Sequence, residues 1–277
     1  MSKTTKSTVQ PGMKPTVMTI AGFDPSGGAG VLADIKTITA FGCYGVAVIT
    51  SVTFQSTQGV FGARHLGRED VRSQIVPIMS DFEIEAVKVG MLPTAELVQE
   101  VAARLAGRSK PILVLDPVSV STSGYVLVEL DATALACRLL YPLAALVTPN
   151  CREAASLTGR AVDDPESMEA AGRQILDFGS GAVLVTGGDL DSEFAHDVLV
   201  DAEGATRYTV ERLKSSNTHG TGCALSSAIA SLLARGEPLR KAVSEAKRYV
   251  RDAIASAPGL GLGHGPLNHF PVGNKKY

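Results

Sequence analysis

Val17-Met18-Thr19-Ile20-Ala21-Gly22-Phe23-Asp24-Pro25-Ser26-Gly27-Gly28-Ala29-Gly30-Val31-Leu32-Ala33-Asp34-Ile35-Lys36-Thr37-Ile38-Thr39-Ala40 decides the fold. Val17–Ala21 is short, apolar and β-prone, as a strand buried on both faces must be. From Val31 to Ala40 the apolar residues recur at helical spacing, and the glycines between suit a tight strand-to-helix turn.

The same alternation continues outward. Strand-like runs fall at Val46–Thr53, Ala86–Val89, Ile112–Leu115, Leu146–Thr148 and Ala182–Thr186. Helical spacing fills Ala95–Leu105, Ala132–Leu140 and Met168–Phe178. A βαβα order of this kind predicts an α/β sandwich with a parallel sheet. Phe194–Val200 and Ala205–Val210 read instead as an antiparallel hairpin at the sheet's edge. Beyond it, Leu225, Ala228, Ile229, Leu232 and Leu233 stripe one helix, and Leu239, Ala242, Val243, Ala246, Val250, Ala253 and Ile254 stripe another. With no repeat and no Pro- or Ser-rich linker, residues 16–277 read as one domain behind a polar, disordered leader of residues 1–15.

Composition removes several function classes. The 277 residues are 45% hydrophobic, with 26 Lys+Arg against 28 Asp+Glu. A formal charge of −2 offers no global attraction to nucleic-acid phosphate. No apolar run approaches the roughly 18 residues a membrane span needs. Cys43, Cys137, Cys151 and Cys223 form neither a C-x-x-C pair nor a zinc-finger spacing, so reduced thiols in a cytoplasm are expected.

The chemistry gathers in the glycine-rich turns. Asn217-Thr218-His219-Gly220-Thr221-Gly222-Cys223 directly precedes the first C-terminal helix. Free N–H groups and the helix dipole there would make an anion site suited to phosphate, and the same position should lower the Cys223 thiol pKa. A tight loop with an N-cap Thr and a buried Cys explains the same residues. Gly28-x-Gly30-x-x-Ala33 matches a dinucleotide spacing, but Gly28 lies six residues beyond Gly22 and no ribose-binding acid ends the second strand. No G-x-x-x-x-G-K-[ST] is present, so an ATP site must use another architecture. Asp116 and the Asn150–Glu153 segment each follow a strand, at the sheet edge where open α/β folds bind ligands. Asp116 and Glu153 are oxygen donors suited to Mg2+. Thr186-Gly187-Gly188 closes another strand and would let a nucleotide approach the backbone. His219 beside Cys223 also raises a thiol hydrolase, without a third orienting residue to complete it.

Together, Thr19–Gly30, Ala33–Thr37, Glu85–Leu92, Leu115–Val118, Thr148–Asn150 with Glu153, and Asn217–Cys223 resemble the bacterial hydroxymethylpyrimidine/phosphomethylpyrimidine kinases of thiamine biosynthesis. The resemblance implies a ribokinase-like three-layer α/β/α sandwich, usually a homodimer. It implies transfer of the ATP γ-phosphoryl group to 4-amino-5-hydroxymethyl-2-methylpyrimidine and then to its monophosphate, with Mg2+. Gly22, Asp34, Gln55, Met91 and Val118 would line the pyrimidine pocket, with Asp34 or Gln55 reading the ring nitrogen and amino edge. Asn150, Glu153, Thr186, Gly188 and Thr218 would serve the nucleotide, Asp116 and Glu153 the metal, and Gly220, Thr221, Gly222 and Cys223 the anion hole, with Cys223 as base or as backbone donor.

Two departures bear on the second transfer. The family commonly carries Ala-Lys-Ser-Gly-Asp where this chain has Ser121-Thr122-Ser123-Gly124-Tyr125, and Lys where it has Thr186. Both lose a cation, which weakens the hold on an already phosphorylated substrate. Pyridoxal kinase, a non-catalytic pyrimidine or vitamin B6 binder, and an NAD oxidoreductase are the alternatives.

Overall fold

A computed structural model describes residues 14–107, 110–120, 124–188, 190 and 192–271. The leader up to residue 13 and the family-divergent residues 121–123 lie outside the described residues.

Nine strands form one sheet in the order β3-β2-β1-β4-β5-β6-β7-β8-β9. They are β1 (Thr16–Phe23), β2 (Tyr44–Ser56), β3 (Gly59–His65), β4 (Ala86–Val89), β5 (Ile112–Leu115), β6 (Leu146–Val147), β7 (Ala182–Thr186), β8 (Phe194–Asp201) and β9 (Gly204–Glu211). The helices are α1 (Gly30–Ala40), α2 (Arg68–Asp81), α3 (Ala95–Leu105), α4 (Leu130–Leu139), α5 (Cys151–Thr158), α6 (Pro165–Leu176), α7 (Thr221–Ala234) and α8 (Leu239–Ala255). Strands β2, β1, β4, β5, β6 and β7 run parallel. The expected hairpin is β8–β9, antiparallel to each other and to β7.

Alternation along the central strands sorts their side chains onto two faces. Met18, Val87, Leu113, Leu115, Val147 and Val183 pack under residues of α2 to α6, among them Ile75, Leu97, Val101 and Ile175. Val17, Ala86, Val114, Leu146, Ala182 and Leu184 pack under α1, α7 and α8, where Ile38, Ile229, Val243 and Tyr249 meet them. Successive residues of each strand thus serve opposite cores, so the strands read as unbroken apolar runs. This is the three-layer α/β/α sandwich.

Two elements depart from the sequence reading. β3 pairs antiparallel with β2, giving the sheet a second antiparallel edge. Its residues, Gly59-Val-Phe-Gly-Ala-Arg-His65, carry two glycines and no buried side chain, so no strand pattern marks them. α2 buries only Val71 and Ile75 and contains Pro77, which breaks the periodicity a reader would follow.

The chain after α8 returns across the sheet's C-terminal edge. His264 N donates to Thr57 O at 2.8 Å in the β2–β3 turn, and Gly265 N to Ser216 O at 3.2 Å. His219 N in turn donates to Gly265 O at 3.1 Å. A Cβ on Gly263 would lie 2.1 Å from Thr57 O, so this crossing requires glycine. His269 ends the crossing buried, with Nδ1 3.0 Å from Thr37 Oγ1.

Burial, aided by Lys36, depresses the His269 imidazole from 6.5 to about 4. The unfolded chain therefore binds this proton more readily, and the stability from neutral His269 is complete above pH 6.5 and lost as pH falls toward 4. Its ceiling is about 1.4 kcal/mol per pH unit in that window. His269→Asn, which keeps a partner for Thr37 but does not titrate, should flatten the fall in urea midpoint between pH 7 and 5. Equal slopes for the two proteins would refute the assignment.

Candidate functional site

β2 and β4 lie on opposite sides of β1, so the chain's strand order reverses at β1. Ligands of open α/β sheets bind beyond the strand ends at such a point. Gly22 sits there, at an irregularity in the β1–β2 register. A Cβ on Gly22 would lie 3.1 Å from Met91 Sδ, which places Met91, just past β4, across the opening. Thr50 Oγ1 holds the Met91 carbonyl at 2.8 Å. Gln55 follows a second bulge, where β3 carries the extra residue Phe61, and its Nε2 donates to Thr53 Oγ1 at 2.6 Å, which donates to Phe23 O at 3.0 Å. Its Oε1 has no partner among the described residues. Val118, half-buried, shares a small cavity wall with Gly90 and Leu92. Met91 thus stands against Gly22, and Gln55 is tied through Thr53 to the neighbouring Phe23, while the cavity that Val118 lines faces Val128 and Ala132.

Asp34 lies elsewhere. It is fully buried, and its carboxylate accepts from Thr19 Oγ1 at 2.6 Å, Ser227 Oγ at 2.8 Å and Lys88 Nζ at 3.1 Å to both oxygens. With both oxygens engaged by protein donors, Asp34 has no edge to offer a ring, and of the two nominated readers only Gln55 keeps an open polar atom. Lys88 is the residue the sequence reading passed over. A lysine inside Ala86-Val-Lys-Val89, a strand buried throughout, is a signal, because buried charges are paired. Its Nζ also lies 3.9 Å from Asp116 Oδ2. These neighbouring carboxylates overcome the effect of burial and raise the Lys88 pKa, so it stays an ammonium.

Above this pair begins α7. Gly220 is its N-cap, in the left-handed region at φ 80°, and no side chain caps the helix. Thr221 N reaches Thr218 O at 3.3 Å and Ala224 N reaches Gly220 O at 2.9 Å. The N–H groups of Gly222 and Cys223 have no acceptor among the described residues. Two open amides at the positive end of a 14-residue helix form a site for a phosphoryl group.

The Cys223 thiol does not behave as the helix position alone predicts. Burial pushes it up to about 12; Lys88 pulls it down, and Asp34 and Asp116 push it up again. Part of the residue is exposed, while the sulfur itself is surrounded by protein. The expected lowering is therefore corrected: desolvation and two carboxylates outweigh the helix dipole, and the resting thiol is protonated.

On the far side, Asp116 is buried and accepts from Ser226 Oγ through Oδ2 at 3.1 Å. A Cβ on Gly222 would lie 3.9 Å from the same oxygen, so the carboxylate faces the first turn of α7. Burial raises its pKa, with Lys88 opposing and Asp34 adding. Asn150 caps α5, its Oδ1 accepting from Glu153 N at 2.9 Å while Glu153 Oε2 accepts from Asn150 N at 2.9 Å. Glu153 Oε1 also takes Ser119 N at 3.3 Å, which joins this helix start to the segment after Asp116. Thr186 pairs with Asn150 across the β6–β7 edge. Gly188 would meet nothing within 4 Å of an added Cβ, so its backbone is open. Asn150, Glu153 and Thr186 therefore form one cluster. Thr218 sits apart from it, on the α7 loop.

An uncapped helix start facing a crevice at the strand-order reversal, in a three-layer α/β/α sandwich, defines a ribokinase-like small-molecule kinase. Comparison with known proteins sharpens the class. The model of a family described as phosphomethylpyrimidine kinase matches residues 24–268, and the chain belongs to that family. It is 44% identical over 261 residues to the hydroxymethylpyrimidine/phosphomethylpyrimidine kinase of Rhizobium meliloti, covering 93% of this chain and 98% of that one. It is also 44% identical over 255 residues to the thiamine biosynthesis bifunctional protein ThiED of Geobacter sulfurreducens, covering 92% of this chain while spanning 52% of that longer protein. Among solved structures, phosphomethylpyrimidine kinase from Clostridium difficile 630 superposes with a TM-score of 0.77 at 40% identity, over 87% of this chain and all of that one. Pyridoxal kinase from Staphylococcus aureus in complex with AMP-PCP gives 0.87 at 29% identity, over 96% and 97%. Kinases use ATP, as the AMP-PCP complex illustrates for that neighbour.

A thiol at about 12 leaves only about one molecule in 10⁵ as thiolate at pH 7. Cys223 should therefore resist iodoacetamide at pH 8 in the folded protein, read as peptide mass, although part of it is exposed. Alkylation at the rate of an unfolded control would contradict the protonated state.

Proposed function

We propose that this chain transfers the γ-phosphoryl group of ATP to the hydroxymethyl oxygen of 4-amino-5-hydroxymethyl-2-methylpyrimidine, and then to the monophosphate so formed. The observation that carries this reading is the pair of open amides of Gly222 and Cys223 beside the Gly22–Met91–Gln55 crevice, in a chain of this family. Gly22 leaves room for a flat ring against Met91, and the Gln55 side-chain carbonyl can accept from the ring's amino group. The hydroxymethyl group then points toward α7.

Phosphoryl transfer asks the protein mainly to position reactants and to stabilise charge on the equatorial oxygens. The Gly222 and Cys223 amides do this without reorganising, because they are fixed by the helix. With its thiol protonated, Cys223 acts through its backbone, and the alcohol proton leaves late, as the new P–O bond forms. Asn150, Glu153, Thr186 and Gly188 form the nucleotide side, with Thr218 on the anion loop.

Asp116 fits Mg2+: it is an oxygen donor facing the phosphate position, and its Oδ1 has no partner among the described residues. Glu153 would be the second ligand, sharing its oxygens with backbone amides. Mg2+ characteristically keeps several waters and takes one or two carboxylates plus phosphate oxygens. Mg2+ there would neutralise charge shared between the β- and γ-phosphates.

A homodimer fits the exposed Val52, Phe54 and Phe61 on the β2–β3 edge, an apolar surface of the kind that partners cover. Four free cysteines fit a reducing cytoplasm. A second reading, pyridoxal phosphorylation, is favoured by the closer superposition on pyridoxal kinase. Pyridoxal is another flat heteroaromatic carrying a hydroxymethyl group.

ADP release with Mg-ATP and each of the three acceptors, with products identified by mass, tests both readings. Turnover of the two pyrimidines is expected, the monophosphate more slowly because Thr186 supplies no cation. Turnover of pyridoxal alone would move the chain to vitamin B6 salvage. Cys223→Ser should keep kcat within about tenfold, since a general base contributes about 10²–10⁴-fold. A loss of about 10²-fold or more would restore the sulfur as base.

A further inference from the structure

The two glycine-rich loops of the site come from opposite ends of the chain and meet at one hydrogen bond. Asp24, 1% exposed, receives three donors: Ser26 N at 2.8 Å, Ala29 N at 2.9 Å and His219 Nε2 at 2.8 Å. The first two fold the Asp24–Gly30 turn around the carboxylate. The third crosses 195 residues of sequence to the anion loop. Contact around this bond leaves no slack. A Cβ on Gly28 would lie 2.3 Å from His219 Cδ2, and one on Gly220 would lie 2.0 Å from Gly28 O. Burial alone would raise the Asp24 carboxyl, and the bonds from His219 and Ser26 override it and hold it below its ordinary value.

We propose that Asp24 and His219 are positioning residues that set the register of the α7 anion hole against the pyrimidine crevice. Neither need touch the reacting atoms. Asp24 follows Gly22 by two residues, and His219 precedes the open amides of Gly222 and Cys223 by three and four. The bond between them fixes the distance over which the phosphoryl group moves. A hydrogen bond suits this task as a latch, because it is directional and joins the two loops at one buried carboxylate. The inference rests on the phosphoryl-transfer reading above.

A misplacement of about 1 Å at a phosphoryl acceptor can cost on the order of 10²-fold in rate. His219→Ala should therefore lower kcat by about that factor, while the pyrimidine KM, set by Gly22, Met91 and Gln55, moves less than about threefold. His219→Gln, whose amide can reach Asp24 in place of Nε2, should recover most of the loss. Gly28→Ala provides a second route that removes no polar group. The three atoms nearest the added Cβ all belong to the His219 ring, so it should force the loops apart and lower kcat alone, yet have no added effect in a His219→Ala background. A loss in His219→Ala that His219→Gln does not recover, additive losses in the double variant, or an undiminished kcat in His219→Ala would each overturn the latch. In that last case the wild-type turnover leaves the kinase reading standing. A wild-type protein that phosphorylates none of the acceptors would overturn the reading and the latch together.

Discussion

Everything at the site is referred to one buried charge pair, Lys88 with Asp34. Four elements meet on these two side chains: β4 supplies the ammonium, α1 the carboxylate, β1 the Thr19 hydroxyl and α7 the Ser227 hydroxyl. Neither charge can be removed singly, since an uncompensated buried ion costs about 3–5 kcal/mol. The pair therefore specifies as well as holds. It fixes where α7 starts relative to the ends of β1 and β4, and so where the open amides stand above the crevice.

Its electrostatics also select the ligand. Asp34 and Asp116 together outnumber Lys88, so the buried cluster beneath the helix start is short of positive charge. Burial, with Asp34 and Asp116 adding to it against Lys88, keeps the Cys223 thiol protonated. A bare phosphate would meet favourable amides and an unfavourable carboxylate at once. A phosphate that arrives with a cation satisfies both, which is the form in which a nucleoside triphosphate is presented to a kinase.

The layers and the parallel sheet were legible because buried strands such as Ala182–Thr186 and amphipathic helices such as α8 obey simple periods. β3 and α2 were not, because their side chains pack on one thin side and Gly62 and Pro77 interrupt the pattern. At the site, residue type and spacing located the anion loop, Asp116 and the Asn150–Glu153 helix start. They could not say which carboxylate faces a ligand. Asp34 and Asp116 look alike in sequence, and only the third dimension shows that Thr19, Ser227 and Lys88 consume one while the other keeps an oxygen open. Lys88 and the Asp24–His219 bond were missed for the same reason: their meaning lies in partners 54 and 195 positions away.

The backbone crossing at His264 and Gly265 has a consequence for how the protein comes into being. Gly263 and Thr57 are 206 residues apart, and at about 5–20 residues per second that stretch takes roughly 10 to 40 s to synthesise. During that interval the nascent chain makes the rest of the sheet and, late in it, the Asn217–Cys223 loop, while the segment that ties this loop to the β2–β3 turn comes last. The α7 loop thus gains its last backbone tether only after residues 263–265 are made, however early the sheet beneath it is complete.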